Sequence, residues 1–220
     1  MLNGFMMAAA GASVPEVAFT DSDFDTSALS SVTFSAMSFG SAATDRRMIL
    51  CITYRAVGGR TISGVTIGGQ TATRLVAVLT EGVSRNSLIY IADVPSGTTG
   101  DVVITANSAL NDVGVSIYRT VGLSTTTTPN DTGTDNAQTA NLMDVSLNTL
   151  ANSVVVACCA SENNVTTTWA GVTEGADFSV GTRSHSSGAI VALTAETPRT
   201  VTATYSSTPN NETAASICIQ

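Results

Sequence analysis

Short runs of apolar and β-branched residues recur along the whole chain, and Gly, Pro, Asn or Asp bound most of them. No stretch has the apolar spacing of a long amphipathic helix, and runs of this length and composition are typical of β-strands. The sequence therefore predicts an all-β protein. We expect an antiparallel β-sandwich of the jelly-roll-like or the immunoglobulin-like kind.

The order of these runs repeats once, which indicates two similar halves. In both halves a strand, a Gly-containing turn and further strands follow one another in the same sequence. The first set is at residues 47–54, 65–72, 87–92, 101–106 and 113–118, and the second is at residues 153–159, 167–174, 187–192, 200–205 and 214–219.

Several of these runs are apolar on consecutive residues, namely residues 48–52, 88–91 and 154–159. A strand with one face in water alternates between apolar and polar residues, so both faces of these strands must be covered. The cover is either the other half of the chain or another subunit.

The polar stretches of the sequence suggest where the parts of the chain begin and end. We expect an extended amino-terminal arm at residues 1–28, a first β half at 29–124, a linker loop at 125–139 and a second β half at 140–220. The short linker and the doubly apolar strands favour halves that pack into one compact unit.

The amino-acid composition excludes several classes of function. Charged residues make up 12% of the chain, the net charge is −8, and all nine basic residues are Arg, so lysine-dependent phosphate loops and Schiff-base chemistry are excluded. An acidic chain repels nucleic acid, and no apolar run is long enough for a membrane span. The sequence predicts no cofactor, no nucleic-acid partner and no membrane.

The four cysteines, Cys51, Cys158, Cys159 and Cys218, lie inside apolar runs without CxxC spacing. They are interpreted as buried small hydrophobic residues, not as disulfides or metal ligands.

Three carboxylates at alternate positions, Asp21, Asp23 and Asp25, resemble the start of a calcium loop, but the Gly and Glu that such a loop requires are missing. We interpret them as a solvated acidic segment. The single histidine, His185, lies between two serines and is interpreted as a surface residue. Metal-binding and catalytic residues are therefore predicted to be absent.

Three segments of the first half carry a family resemblance: FGSAATDRR at residues 39–47, VTIGGQTAT at 65–73 and ADVPSGTTGDVVI at 92–104. In these segments the chain resembles accessory virion proteins of tailed bacteriophages and related prophages, of the capsid decoration or cement type or the head or tail fibre type. The resemblance implies β-sandwich modules that decorate capsids or build fibres, collars and tail appendages. It implies no catalytic residues.

We therefore expect a non-enzymatic capsid decoration or cement protein that stabilises the shell of a virion and is assembled in the cytoplasm of a bacterial host. Its partners would be the major capsid protein or neighbouring appendage proteins, and it would form a homo-oligomer, with a trimer as the expectation. Apolar side chains of the arm would be costly to leave in water and are the predicted partner contacts. They are Met1, Leu2, Phe5, Met6 and Met7.

Two other functions stay open. A head or tail fibre subunit would bind host surface glycan through Trp169 and the turn at Gly68 and Gly69. A polysaccharide hydrolase would need two paired carboxylates. Its candidates are interpreted as solubilising loop charges; they are Glu81, Glu162, Glu174 and Glu196.

Overall fold

The structure, a computed structural model, describes residues 14–55, 58–79 and 85–220. Within these ranges the chain forms strands and no helix, so none there is long and apolar enough to cross a membrane. The strands are β1 (Glu16–Asp25), β2 (Leu29–Ser38), β3 (Arg47–Arg55), β4 (Ile62–Ile67), β5 (Gln70–Thr71), β6 (Thr73–Val78), β7 (Asn86–Asp93), β8 (Thr99–Val121), β9 (Asp131–Ala137), β10 (Leu142–Thr149), β11 (Ser153–Ser161), β12 (Thr167–Ala170), β13 (Thr173–Val180), β14 (Arg183–Ala192), β15 (Glu196–Tyr205) and β16 (Glu212–Ile219).

The first half, β1 to β8, is a sandwich of two antiparallel sheets. Its larger sheet has the order β1-β8-β3-β7-β6, and its smaller sheet has the order β2-β8-β4-β5. The long strand β8 belongs to both sheets, because residues 99–110 pair with β2 and β4 while residues 111–121 pair with β1 and β3. Apolar side chains such as Val32, Leu50 and Ile104 fill the space between the two sheets.

The second half, β9 to β16, repeats this arrangement strand for strand. Its larger sheet has the order β9-β16-β11-β14-β13 and its smaller sheet the order β10-β15-β12. When the two parts of β8 are counted separately and the short β5 is left aside, the first strand of each half pairs with the last, the second with the seventh and the third with the sixth. This nesting is that of a jelly roll. The prediction of an antiparallel β-sandwich protein built from two similar halves is confirmed.

The pairing register identifies equivalent residues in the two halves. A β-bulge leaves Leu75 unpaired in β6 and Gly175 unpaired in β13, at the same place relative to the neighbouring strand. Counting from these bulges across β7 and β14 makes Cys51 of β3 equivalent to Cys158 of β11.

The larger sheets of the two halves pack against each other face to face. On β3, Leu50 points into the core of its own half while Cys51 points toward the second half. On β11, Val155 points into the core of the second half while Cys158 points toward the first half. Four sheets are thus stacked with three apolar layers between them. The doubly apolar strands are covered by the other half of the same chain.

Two boundaries predicted from the sequence are wrong. Residues 16–25, assigned to an extended arm at 1–28, form β1, and residues 131–137, assigned to a linker at 125–139, form β9. Each is an edge strand of a larger sheet, paired along one side only, and its residues are mostly exposed or half-buried. Residues 1–13 of the predicted arm lie outside the described residues.

Aspartates on these two edge strands join the sheets of each half. The carboxylate of Asp21 accepts a hydrogen bond from the backbone N–H of Ser38 on β2 at 2.7 Å. In the second half, the carboxylate of Asp131 accepts bonds from the backbone N–H of Asn148 on β10 at 2.7 Å and from its side-chain amide at 3.0 Å. The backbone bond from Asn148 lowers the pKa of Asp131. The acidic pattern thus satisfies edge N–H groups that would otherwise be unpaired within the protein.

A cut in the connection between the halves should leave them associated, because the middle apolar layer is shared. We expect a protease site inserted between Thr127 and Thr128 to give two fragments that co-elute in size-exclusion chromatography and separate only in denaturant. The substitution Val156→Asp, which places a charge in this layer, should weaken the association of the cut fragments. Separation of the unsubstituted fragments in native buffer would contradict a shared core.

Candidate functional site

Three turns meet at one end of the first half: residues 39–46 between β2 and β3, residues 68–69 between β4 and β5, and residues 94–98 between β7 and β8. They lie within the three segments that carry the family resemblance. The guanidinium of Arg46 joins the first turn to the third by donating to five backbone carbonyls at 2.6 to 3.4 Å. These carbonyls belong to Phe39, Gly40, Val94, Ser96 and Gly97.

Arg46 is the residue type that this arrangement requires. Its side chain is 1% exposed, and a guanidinium has five N–H donors in a planar fork, one for each carbonyl. Burial, followed by repulsion from Arg119, lowers the pKa of Arg46. Because these bonds fix both turns to one rigid group, the loop end is preorganised. The sequence showed an Arg pair here but gave no signal that both members are buried.

The ring of Phe39 packs beneath two glycines of the neighbouring strands and turns. A Cβ on Gly68 would lie 2.9 Å from this ring, and a Cβ on Gly100 would lie 2.6 Å from it. Gly68 also has a φ of 58°, a conformation that favours glycine. These two positions therefore allow the backbone to lie directly on the aromatic ring.

A cleft of about 470 Å³ opens above this packed loop end, on the outer side of the smaller sheet. Its polar groups are the hydroxyls of Thr66, Ser96 and Thr99 and the carboxylate of Asp101. One oxygen of Asp101 accepts the backbone N–H of Ala36 at 2.9 Å, which fixes the carboxylate in position. Hydroxyls beside a single fixed carboxylate suit a hydroxylated ligand bound through hydrogen bonds.

A second polar feature, a chain of buried side chains, crosses the layer between the halves. His185 contacts Thr53 through Nδ1 at 2.9 Å and Ser116 through Nε2 at 3.0 Å. Ser116 donates to Ser187 at 2.7 Å, and Ser187 is 2.7 Å from the Tyr118 hydroxyl. All five side chains are at most 1% exposed. The chain therefore links both halves through groups that solvent does not reach.

The interpretation of His185 as a surface residue is wrong. It is fully buried on β14, because its ring contacts Thr53 and Ser116 of the first half, while the flanking serines bond to other residues of the second half and not to water. Burial lowers the pKa of His185 to about 3, so the ring is neutral at pH 7. A Ser/His/Asp relay places a carboxylate on the second ring nitrogen, whereas here Thr53 takes that place. This arrangement connects the halves and does not present a nucleophile.

All four cysteines are free and buried, which confirms their prediction. Cys51 and Cys158, the equivalent pair, both lie in the middle layer, where the Cys158 thiol donates to the Leu88 carbonyl at 3.9 Å and interacts with the Cys51 thiol. This contact and burial raise the pKa of Cys158. The Cys158 thiol is therefore protonated, and both residues pack as small apolar groups.

The three alternate carboxylates do not converge on a shared point. Asp23 accepts the backbone N–H of Phe24 at 2.7 Å, and Asp25 accepts that of Ser27 at 2.7 Å, while Asp21 bonds to Ser38. Among the described residues, no group of three or more His, Cys, Asp or Glu side chains is placed to hold a metal ion.

Trp169 lies on β12, the strand of the second half that corresponds to β4 in the first half. Its indole N–H donates to Ser186 at 2.8 Å, and its ring packs on the core of the second half. Gly68 and Gly69 belong to the smaller sheet of the first half, at the opposite end of the four-sheet stack. The residues suggested for a glycan site therefore do not form one site. A ligand contact of Trp169 by itself stays a prediction.

The remaining predicted contacts and carboxylates are distributed as follows. The partner contacts of the arm, Met1, Leu2, Phe5, Met6 and Met7, and also Glu81, lie outside the described residues. Glu162 lies 3.8 Å from Arg55, and Glu196 forms an ion pair with Arg199 at 2.6 Å. Glu174 lies half-way along the junction of the halves, where burial and Asp177 raise its pKa.

Comparisons with known proteins give no family. No protein-family description matches the chain, and no curated protein matches it. A solved structure of an anti-sigma factor domain-containing protein aligns over 86% of this chain and 74% of that chain, with 8% sequence identity and a TM-score of 0.24. A likeness at this level carries no argument about fold or function.

His185 makes the stability of the fold depend on pH. Its pKa is about 3 in the folded protein and about 6.5 when unfolded, so the unfolded state binds the proton first and stability is lost as the pH falls from 6.5 toward 3. We expect the free energy of unfolding to drop by about 4 kcal/mol more in the unmodified protein than in a His185→Asn variant between pH 7 and pH 3. Urea unfolding at several pH values measures this difference. Parallel pH profiles for the two proteins would show that His185 does not titrate in this way.

The packing of Phe39 predicts different effects for two glycines of the same sheet. Gly100→Ala should lower the free energy of unfolding by about 2 kcal/mol, because the new Cβ overlaps the ring. Gly64→Ala is the matched control, since no heavy atom lies within 4 Å of its Cβ position. Equal losses in thermal unfolding would mean that Phe39 does not constrain the loop end.

Proposed function

We propose that this chain is a non-enzymatic structural protein of a bacteriophage virion, acting as a capsid decoration or cement protein. It would stand on the shell as a rigid block and attach through its amino-terminal residues. Its partners would be the major capsid protein or a neighbouring appendage protein.

The observation that carries this proposal is the shared middle core of the two halves. Because the larger sheets cover each other, the chain is a stack of four sheets whose inner faces are occupied by its own side chains. His185 and the four cysteine thiols are buried in this packing. Among the described residues, the outside of the molecule is formed by the two smaller sheets and by polar sheet edges.

The outer faces of the smaller sheets support the same proposal. On the second half, Thr200, Thr202 and Thr204 of β15 alternate with buried Val201 and Ala203. Short hydroxyl side chains give a polar surface with little side-chain entropy. With a net charge of −8, such a surface suits a module that stays soluble while its attachment is made elsewhere.

Attachment should depend on residues 1–13. β1 begins at Glu16, so a deletion of these residues leaves every described strand intact, whereas a longer deletion would remove part of β1. We expect the shortened protein to keep its β-sheet circular dichroism and to lose co-sedimentation with phage heads prepared without this subunit. If the shortened protein still binds, the segment is not the attachment point. If the full chain does not bind, the proposed function is wrong.

A second candidate function, glycan binding by a virion fibre or appendage, is favoured by the cleft beside Asp101. Its walls are fixed by Arg46, and its polar groups are hydroxyls and one carboxylate, which suit sugar hydroxyls. This candidate places the ligand at the first half alone.

A double substitution tests the glycan candidate. Replacing Thr66 and Thr99 by Val removes two hydroxyls from the cleft with little change in shape, and we expect about tenfold weaker binding to any glycan found on an array. Thr168→Val, at the corresponding place on β12 of the second half, is the control and should bind normally. Unchanged binding by the double variant would rule out this cleft as the site.

A further inference from the structure

A groove of about 360 Å³ runs along the junction of the two halves, between β1 on one side and β13 and β14 on the other. We call it the junction groove. Its walls are largely apolar, and Glu174 is the single charged side chain in its lining. It is lined by Val17, Phe19, Tyr118, Glu174, Ala189 and Val191, together with the backbone around Gly175.

The two sides of the junction differ at one bulge. On the equivalent side, the bulge residue of β6 is Leu75, which packs on the middle core against β16. In β13 this position is Gly175, and a Cβ there would lie 2.5 Å from the Tyr118 hydroxyl. The Tyr118 ring therefore takes the place of a side chain at this bulge, and the groove lies beside the ring.

The rim of the groove has large apolar side chains in water. Phe19 is 39% exposed and lies edge to face on Tyr118, with ring centroids 5.7 Å apart. Leu193 follows the wall residue Val191 by two positions, which places it on the same side of an extended chain, and it is 65% exposed. Val14, which lies two residues before β1, is 52% exposed. Exposed apolar side chains that border one groove mark a site for another apolar chain.

The segment that precedes β1 has the chemistry to fill this groove. Residues 1–13 contain no charged side chain, and Phe5, Met6 and Met7 are followed by three alanines. Methionine side chains adapt to irregular apolar surfaces. The carboxyl end of this segment is also next to the groove in sequence, because only Val14, Pro15 and Glu16 separate it from the wall residue Val17.

The direction in which the chain leaves β1 selects the groove of another copy. Val14 precedes Pro15, and a residue before proline is restricted to extended conformations. Pro15 is itself buried and fixes this exit. A segment that continued in line with β1 would move away from Val17 and Phe19 of its own chain and would therefore meet the groove of another copy.

We propose that residues 1–13 of one copy bind in the junction groove of a second copy, with Phe5, Met6 and Met7 against Phe19, Val191 and Leu193. This exchange would build the homo-oligomer. The proposal rests on that part of the proposed function which assigns residues 1–13 to protein contact, and it makes the lost shell attachment of the shortened protein a consequence of the lost oligomer.

The test is made in solution without phage heads, so that its failure is distinct from a failure of shell attachment. A fluorescent peptide of residues 1–13 is titrated into protein that lacks these residues. We expect saturable binding, and we expect Leu193→Asp in the receiving protein to weaken it by about tenfold or more. Leu142→Asp, an exposed leucine on the outer face of the second half, is the matched control and should bind the peptide normally.

Sedimentation of the full chain completes the test. The full chain should self-associate, while the protein lacking residues 1–13 and the full-length Leu193→Asp variant should both be monomeric. A monomeric full chain whose shortened form binds the peptide would show that the groove holds its own segment, which overturns exchange between copies. Absence of peptide binding, or equal binding by the two Asp variants, would overturn the groove as the receiving surface.

Discussion

The central strands β3 and β11 have apolar side chains on both faces, and each half has a smaller sheet to cover only one of those faces. The uncovered faces together form the middle layer. Duplication supplies the solution, since two similar sheets cover each other as the identical surfaces of a twofold dimer do. The contacts are reciprocal in the same way: β6 meets β9 and β1 meets β13, which are equivalent pairs. The chain thus resembles a dimer whose subunits are covalently joined.

The two sides of this internal interface have diverged in chemistry. Ser187 and Tyr118 form hydrogen bonds on one side, while their equivalents Ile89 and Ile217 make apolar contacts on the other. Apolar packing tolerates small displacements, but a chain of hydrogen bonds with His185 within it is satisfied in one alignment only. The apolar side of the interface therefore contributes buried apolar area, and the polar side fixes the relative position of the two sheets. The junction groove lies on the polar side, beside Tyr118.

The sequence predicted the parts of the fold that depend on local pattern. Apolar runs located the central strands, and their doubly apolar character required a covering layer. The edge strands β1 and β9 were not predicted, because an edge strand buries little side-chain area and its sequence is therefore as polar as that of a loop. The burial of His185 and Arg46 was not predicted for another reason, because it depends on partners that are distant in sequence. His185 contacts Thr53 and Ser116, and Arg46 donates to backbone carbonyls of two turns. The turn at Gly68 was recognised, but its distance from Trp169 follows from the stacking of four sheets, which local pattern does not contain.

The pairing of β1 along its length with the second part of β8 has a mechanical consequence. A pull on the chain ahead of Val14 acts along the strand axis, so the β1–β8 hydrogen bonds from Glu16 to Asp25 are loaded in shear and break together, not one after another. Arg119, which pairs with Glu16 at 3.1 Å and donates to the Ser41 carbonyl at 2.8 Å, ties the loaded end of β1 to the neighbouring loop. Because β8 continues without a break into the smaller sheet, the tension passes into both layers of the first half. The first half would therefore resist a pull from its amino-terminal end with all of the β1–β8 hydrogen bonds at once.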